Sequence, residues 1–312
     1  MAIQNPREVY GRTLVDIGRE NPSIVVLEAD LGKSTMSCYF EQEFPERFFE
    51  MGIAEANMTS FAAGLSLTGK IPFTNSFAVF AAGRAFDQIR QGICIAGLNV
   101  RIVGSSCGLS DFGDGSTHQS IEDIAIMRAL PNMTVLVPAD GNETRTMTRA
   151  LASFEGPAYM RITRSDLPDV MPAEEPFVAG KPHLIRPGND VVVFANGQMV
   201  SAAMSAAEIL AGEGISLRVA NVSSMKPVDR AAVSALATGM KGVVTAEEHS
   251  VIGGLSSLIH EVLQAQSIPR AAIGIADRFG QSALSHEDLL DCYGLTPRHI
   301  ADAARRLAKN AD

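Results

Sequence analysis

The chain has 312 residues, 46% of them hydrophobic and 20% charged, so it is long enough for two ordinary domains and reads as a folded globular protein. Its 26 basic and 35 acidic residues give a formal charge of −9, which argues against a general nucleic-acid surface and makes any anion-binding arginine a local exception. Cys38, Cys94, Cys107 and Cys292 lack the spacing of a disulfide framework or zinc site, the start is polar, and no apolar run reaches membrane-spanning length; a cytoplasmic protein is expected.

Strands are predicted at 24–27, 71–74, 100–104, 134–137 and 158–162. Between them, helical patterns start near Pro6, Ala54, Phe80, Ile121 and Gly141. Pro6 after Asn5 is a helix-start pair. The rhythm breaks at 164–189, where Pro168, Pro172, Pro176, Pro182 and Pro187 fall among acidic residues. A second series then follows, with strands at 191–195, 216–221, 242–246 and 271–275 and helices at 199–213, 254–264 and 297–309. Alternation of this kind implies an α/β fold with mostly parallel sheets. The expected division is a domain at 1–165, a linker at 166–189 and a smaller α/β domain at 190–312.

Chemistry concentrates in the first domain. Glu55 opens an apolar helical pattern, and Phe77 and Phe80 follow on the next element. A carboxyl group with two nearby aromatics suits a flat, basic heteroaromatic ring such as the aminopyrimidine of thiamine diphosphate. The carboxyl shares a proton with a ring nitrogen while the aromatics cover the ring face. Such a carboxyl should lie in apolar surroundings with its pKa raised. Taken singly, Glu55 reads first as an exposed first-turn glutamate. Phe77 and Phe80, taken alone, read as core residues on one helix face; the order and spacing of the set raise the functional reading.

The segment from Asp111 to Gln119 adds two glycines, Asp114 and His118. Asp114 and His118 are candidates to bind sugar hydroxyls or move protons at a carbonyl. The same segment also reads as a capping loop, with Ser120 as N-cap and Asp123 at the third helical position. Gly113-Asp114-Gly115 with Asn142, 28 residues after Asp114, imitates a magnesium–diphosphate motif. A diphosphate-binding domain needs its own sheet, however, and 1–165 holds one. No metal ligand is therefore assigned to this chain.

In collinear order, Glu28-Ala29-Asp30-Leu31, Gly52 to Met58, Phe73 to Phe80, Gly113 to Gln119, Pro131-Asn132-Met133 and Glu247-Glu248-His249 resemble the C-terminal half of transketolase. The likeness is specifically to the second subunits of split, two-chain transketolases, and it covers nearly the whole chain. It implies a pyrimidine-binding domain followed by a C-terminal domain. Glu55 then falls on the position that meets the pyrimidine N1′, Phe77 and Phe80 on the aromatics of that pocket, Ile53 on an apolar support of the bent cofactor, and Asp30 on an acidic neighbour. Arg7, Ser34 and Arg164 fall on the positions that grip a sugar phosphate. Asp114 and His118 fall on positions that contact the donor's hydroxyls. His249 reads as structural, and His183, His260, His286 and His299 have no constellation around them.

Two departures stand out. Ser106 occupies the position, twelve residues before His118, where the family usually has a histidine near the donor's first hydroxyl; Gly83 replaces a frequent aromatic. The resemblance implies transfer of a two-carbon ketol unit from a ketose phosphate to an aldose acceptor. A separate N-terminal subunit would carry the diphosphate and Mg²⁺ site, in a heterotetramer with two copies of each chain. Two other readings remain open: a deoxyxylulose-phosphate-synthase-like or 2-oxo-acid dehydrogenase β-like subunit, and a scaffold without catalysis.

Overall fold

Runs of β-branched residues become strands buried on both faces, as parallel sheets covered by helices require. The computed structural model describes residues 2–309. A seven-stranded sheet runs from edge to edge through Ser224–Lys226, Thr134–Leu136, Ala158–Arg161, Arg101–Ser105, Ile71–Phe77, Ile24–Glu28 and Phe48–Glu50. Its neighbours are parallel except for the edge pair of Ser224–Lys226 with Thr134–Leu136. A five-stranded sheet runs through Arg270–Ile275, Gly242–Ser250, Val191–Ala195, Leu217–Asn221 and His183–Arg186, antiparallel only at the last pair. Ile3–Gln4 pairs separately with Leu167–Pro168.

Local chemistry sets several helix boundaries. Asn5 accepts a hydrogen bond from the Arg7 backbone N–H, and Pro6 supplies the preset first turn of the helix Pro6–Glu20. Asp140 caps Gly141–Leu151 through the Glu143 N–H. The helix expected from Ile121 instead starts at Asp123 after Glu122, with no side-chain cap. Ser120 is not its N-cap: the hydroxyl is buried without a partner, while the Ser120 backbone pairs with Gly108. Phe77 and Phe80 do not share a helix either. Phe77 closes the strand Ile71–Phe77, and Phe80 lies in the short helix Ala78–Gly83.

The segment after Arg164 carries regular structure, with His183–Arg186 forming one edge of the second sheet. The chain also crosses back, since Ser224–Lys226 completes an edge of the first sheet from the second half of the sequence. One core consequently spans both sheets. Val25, Leu27, Ile102 and Val135 pack in the same cluster as Val192, Phe194 and Val243. Burying each such side chain fully is worth about 1.5–3 kcal/mol, so this shared core is the main bond between the halves.

Polar groups reinforce it. Arg161 pairs with Asp123 at 2.8 Å, both buried, and donates to the Glu248 carbonyl. Glu143 accepts from Asn221 at 2.9 Å and from the Ser223 hydroxyl at 2.6 Å. Glu248 Oε1 accepts from the Leu109 N–H at 2.7 Å and lies 2.7 Å from His286 Nε2. His286 Nδ1 lies 2.6 Å from Ser165 Oγ. His286 therefore does sit in a constellation, one assembled from three distant segments. Gly108 (φ +64°) is needed there, because a Cβ would stand 2.4 Å from the Glu248 carboxyl carbon. Among the described residues, no helix is long and apolar enough to cross a membrane.

Candidate active site

In open parallel sheets, ligands are bound beyond the carboxyl ends of the strands, where backbone groups and loop side chains converge. Five strands of the first sheet end beside sequence-predicted site residues. Asp30 follows Ile24–Glu28, Ile53 and Glu55 follow Phe48–Glu50, and Phe77 ends Ile71–Phe77. Ser106 follows Arg101–Ser105, and Arg164 follows Ala158–Arg161. Asp30 (φ +61°) and Ser106 (φ +51°) both adopt left-handed backbone conformations, the local strain that tends to gather at functional turns.

Glu55 begins the helix Glu55–Leu67, where the helix dipole favours a carboxylate, and it is only 3% exposed. Its surroundings are less apolar than expected. Oε1 accepts a hydrogen bond from Arg84 Nη1 at 3.1 Å, and Ser76 Oγ lies 3.5 Å away. The Phe77 and Phe80 rings stack with centroids 6.1 Å apart. His118 stands edge-on to Phe80 at 5.2 Å and to Phe77 at 6.3 Å. The fold thus gathers Glu55, Phe77, Phe80 and His118 into one polar–aromatic corner. The Arg84 guanidinium lies 3.9 Å over the Phe80 ring.

A second group forms around the arginines. Arg7 donates to the Ser34 carbonyl at 2.9 Å, while its Nε is buried without a partner. Burial, and then the neighbouring Arg164 cation, push the Arg7 guanidinium below its ordinary pKa. Arg164 pairs with Asp111 at 3.0 Å. Asp111 is buried, and its carboxyl is pushed up chiefly by that burial, with Arg164 opposing. Asp114 and His118 also act on the Asp111 charge, so the loop connects the two groups. Two neighbouring guanidiniums with an unfilled donor make a local anion-binding arrangement in an acidic protein.

Asp30 and Ile53 lie on the exposed rim. Glu50 Oε1 ties their loops together by accepting from the Asp30 N–H at 2.9 Å and the Gly52 N–H at 2.8 Å. Ile53 is 74% exposed, and Asp114 is exposed as well. Ser106 is fully buried with its hydroxyl unpaired. The glycine–aspartate mimic takes a different course. Asn142 receives hydrogen bonds from Gln4 and Arg145 and donates to the Met171 carbonyl. Among the described residues, no cluster of three or more His, Cys, Asp or Glu side chains is placed to hold a metal ion.

Sequence reasoning missed Arg84, Asp111 and Glu28. Arg84 stands four residues after Phe80, a spacing that places side chains together on a helical turn. Asp111 carried no signal beyond its loop. Glu28 ends its strand fully buried and accepts from the Ala29 N–H, the Thr35 hydroxyl and the Ser37 hydroxyl. It anchors the loop bearing Asp30 and Ser34, and burial raises its pKa to about 7. His249 is fully buried beside Glu247, with burial pushing its pKa down to about 4.

The chain was compared with known proteins on this basis. Residues 4–170 match the family model for the transketolase pyrimidine-binding domain, and residues 180–300 match the model for the transketolase C-terminal domain. A putative transketolase C-terminal section from Methanocaldococcus jannaschii is 42% identical over 95% of this chain and 93% of its own length. A 6-deoxy-6-sulfo-D-fructose transketolase subunit from Clostridium sp. (strain MSTE9) is 41% identical over 97% of this chain and 94% of its own. A solved structure described as a split-gene transketolase, inactive β4 tetramer, superimposes with a TM-score of 0.89 and 46% identity, covering 98% of this chain and 99% of that one. The chain belongs to the transketolase family and carries its pyrimidine-binding and C-terminal domains.

Proposed function

We propose that this chain is the second subunit of a two-chain, thiamine-diphosphate-dependent transketolase, with 1–165 as its cofactor-binding domain and 190–312 as its C-terminal domain. One observation carries the reading. A buried carboxylate, two stacked aromatics and a pair of neighbouring arginines converge at the strand ends of one sheet. A separate subunit would hold the diphosphate with Mg²⁺, in an assembly of two copies of each chain. The pairing of a flat guanidinium with Glu55 and Phe80 supports the fit, since a cationic planar group already satisfies both.

Bound thiamine diphosphate supplies the carbon nucleophile for cleaving and forming the ketose carbon–carbon bond. Glu55 holds and returns a proton at the pyrimidine nitrogen, and burial keeps water from its carboxylate. Phe77 and Phe80 orient the ring, while Ile53 and Asp30 border it. Arg7, Ser34 and Arg164 grip the donor's anionic end, and Asp111 steers the Arg164 guanidinium. Asp114 and His118 bind hydroxyls near the reacting carbons, and His118 is the group that moves protons there. Ser106 sets donor preference in place of a histidine. The arginine pair suits a phosphate or a sulfonate, the latter being the kind of group named for the Clostridium relative.

Reconstitution with the partner chain tests the proposal. Transfer of a two-carbon unit from an anionic ketose to an aldose is the expected result. Carbon dioxide release from pyruvate without ketol transfer would favour the synthase-like or dehydrogenase-like reading and overturn this one.

A further inference from the structure

Arg84 belongs to no role assigned so far, yet it touches the two groups the pocket depends on. Its Nη1 donates to Glu55 Oε1 at 3.1 Å, and its guanidinium carbon stands 3.9 Å from the Phe80 ring centroid. These are the contacts an aminopyrimidine would make, a ring nitrogen against the carboxylate and a flat face against the aromatic. The guanidinium suits both because it is planar, cationic and weakly hydrated. The Glu55 side chain is 4% exposed, and a carboxylate so buried is costly without a partner. Arg84 itself is 51% exposed, and Gly83 beside it borders open space, so the side chain can leave without disturbing the core.

We propose that Arg84 is an internal occupant of the aminopyrimidine pocket, a flat cation that pairs with Glu55 and covers Phe80 until the cofactor's ring displaces it. This inference rests on the pocket reading given above. The occupied pocket keeps Glu55 paired with a cation, beside the more distant Ser76 hydroxyl, and Phe80 covered, at the expense of cofactor affinity. Two contacts, one ion pair with a half-exposed partner and one cation–π stack, must be given up before the ring can settle. Their combined loss corresponds to a weakening of cofactor binding by about 3- to 10-fold.

Calorimetric titration of magnesium thiamine diphosphate into the reconstituted pair tests this directly. Arg84→Ala should lower the Kd by about 3- to 10-fold. Arg84→Gln keeps a planar polar end on a shorter side chain but loses the charge, and should shift the Kd in the same direction. Circular dichroism reports whether both variants are folded. An unchanged or raised Kd for the folded variants overturns the inference, because Arg84 would then be neutral or a contact of the bound cofactor. Turnover of Glu55→Gln separates the two levels. If that variant is inactive while the Arg84 variants fail to tighten binding, only the present inference falls. If it retains full activity, the pocket reading falls and takes this inference with it.

Discussion

The two sheets use their strand ends in opposite ways. At the carboxyl ends of the first sheet, Asp30, Ile53, Arg164 and Arg84 remain exposed, while the half-buried Arg7 keeps its Nε without a partner and the buried Ser106 its hydroxyl. At the ends of the second sheet, Glu247 and Glu248 are buried and bonded to protein groups. Glu247 accepts from the Leu255 and Ser256 N–H groups, and Asn221 reaches across to Glu143. Both regions are rich in buried carboxylates, so burial alone does not mark a site. A carboxylate satisfied by fixed backbone donors is structural, whereas one held chiefly by a half-exposed side chain can change partners.

The largest effect should separate these classes at once. Glu55→Gln is expected to lower turnover of the reconstituted pair by about 10²–10⁴-fold, the range for loss of a positioned acid–base group. Its thermal midpoint should hardly move; a large stability loss would place Glu55 with the structural carboxylates. Glu248→Ala should do the reverse. It strips a partner from the Leu109 N–H and from His286, whose pKa burial lowers but the Glu248 carboxylate raises further, leaving it above the ordinary value. A loss of about 3 kcal/mol in denaturant unfolding is expected.

Glu143 offers a test by pH. Burial raises its folded-state pKa to about 7 from an ordinary carboxyl value near 4.5. Between those values the folded protein binds the proton that the unfolded chain releases, so this group's stabilisation falls as pH rises and levels off above about 7. Glu143→Gln removes that dependence. The variant should gain about 3 kcal/mol relative to the parent between pH 4.5 and 7, read from paired unfolding curves. A difference that is flat with pH would mean the carboxyl is not held as described. The smallest effect belongs to the rim. Arg7→Ala should raise the KM for an anionic donor by about 10-fold, with kcat little changed, if the arginine binds the donor's charge. An equal effect with an uncharged analogue would remove Arg7 from that role.

The sequence made the sheets legible where strands are buried on both faces, because Ile24 to Leu27 and Val191 to Ala195 are unbroken apolar runs. It missed the edge strand Ser224–Lys226, whose polar residues lack that signal and whose pairing depends on a chain crossing. The helix at Arg230–Ala237 and that at His286–Cys292 went unmarked for want of a long apolar period. In the candidate site, Glu55, Phe77, Phe80 and His118 stood out through the order of the motifs. Arg84 against Glu55, Asp111 against Arg164, and His286 between Ser165 and Glu248 did not. Each depends on where a side chain points after distant segments have packed, which no spacing along the chain encodes.

The returning strand Ser224–Lys226 has a consequence for how this protein can be divided. A chain cut between its two matched domains would leave Thr134–Leu136 with one side of its backbone unpaired at a sheet edge. Bare edges of this kind recruit other strands. The two domains are therefore better regarded as one unit of synthesis, quality control and exchange, and a graft of the cofactor-binding half into another scaffold has to bring those three residues with it.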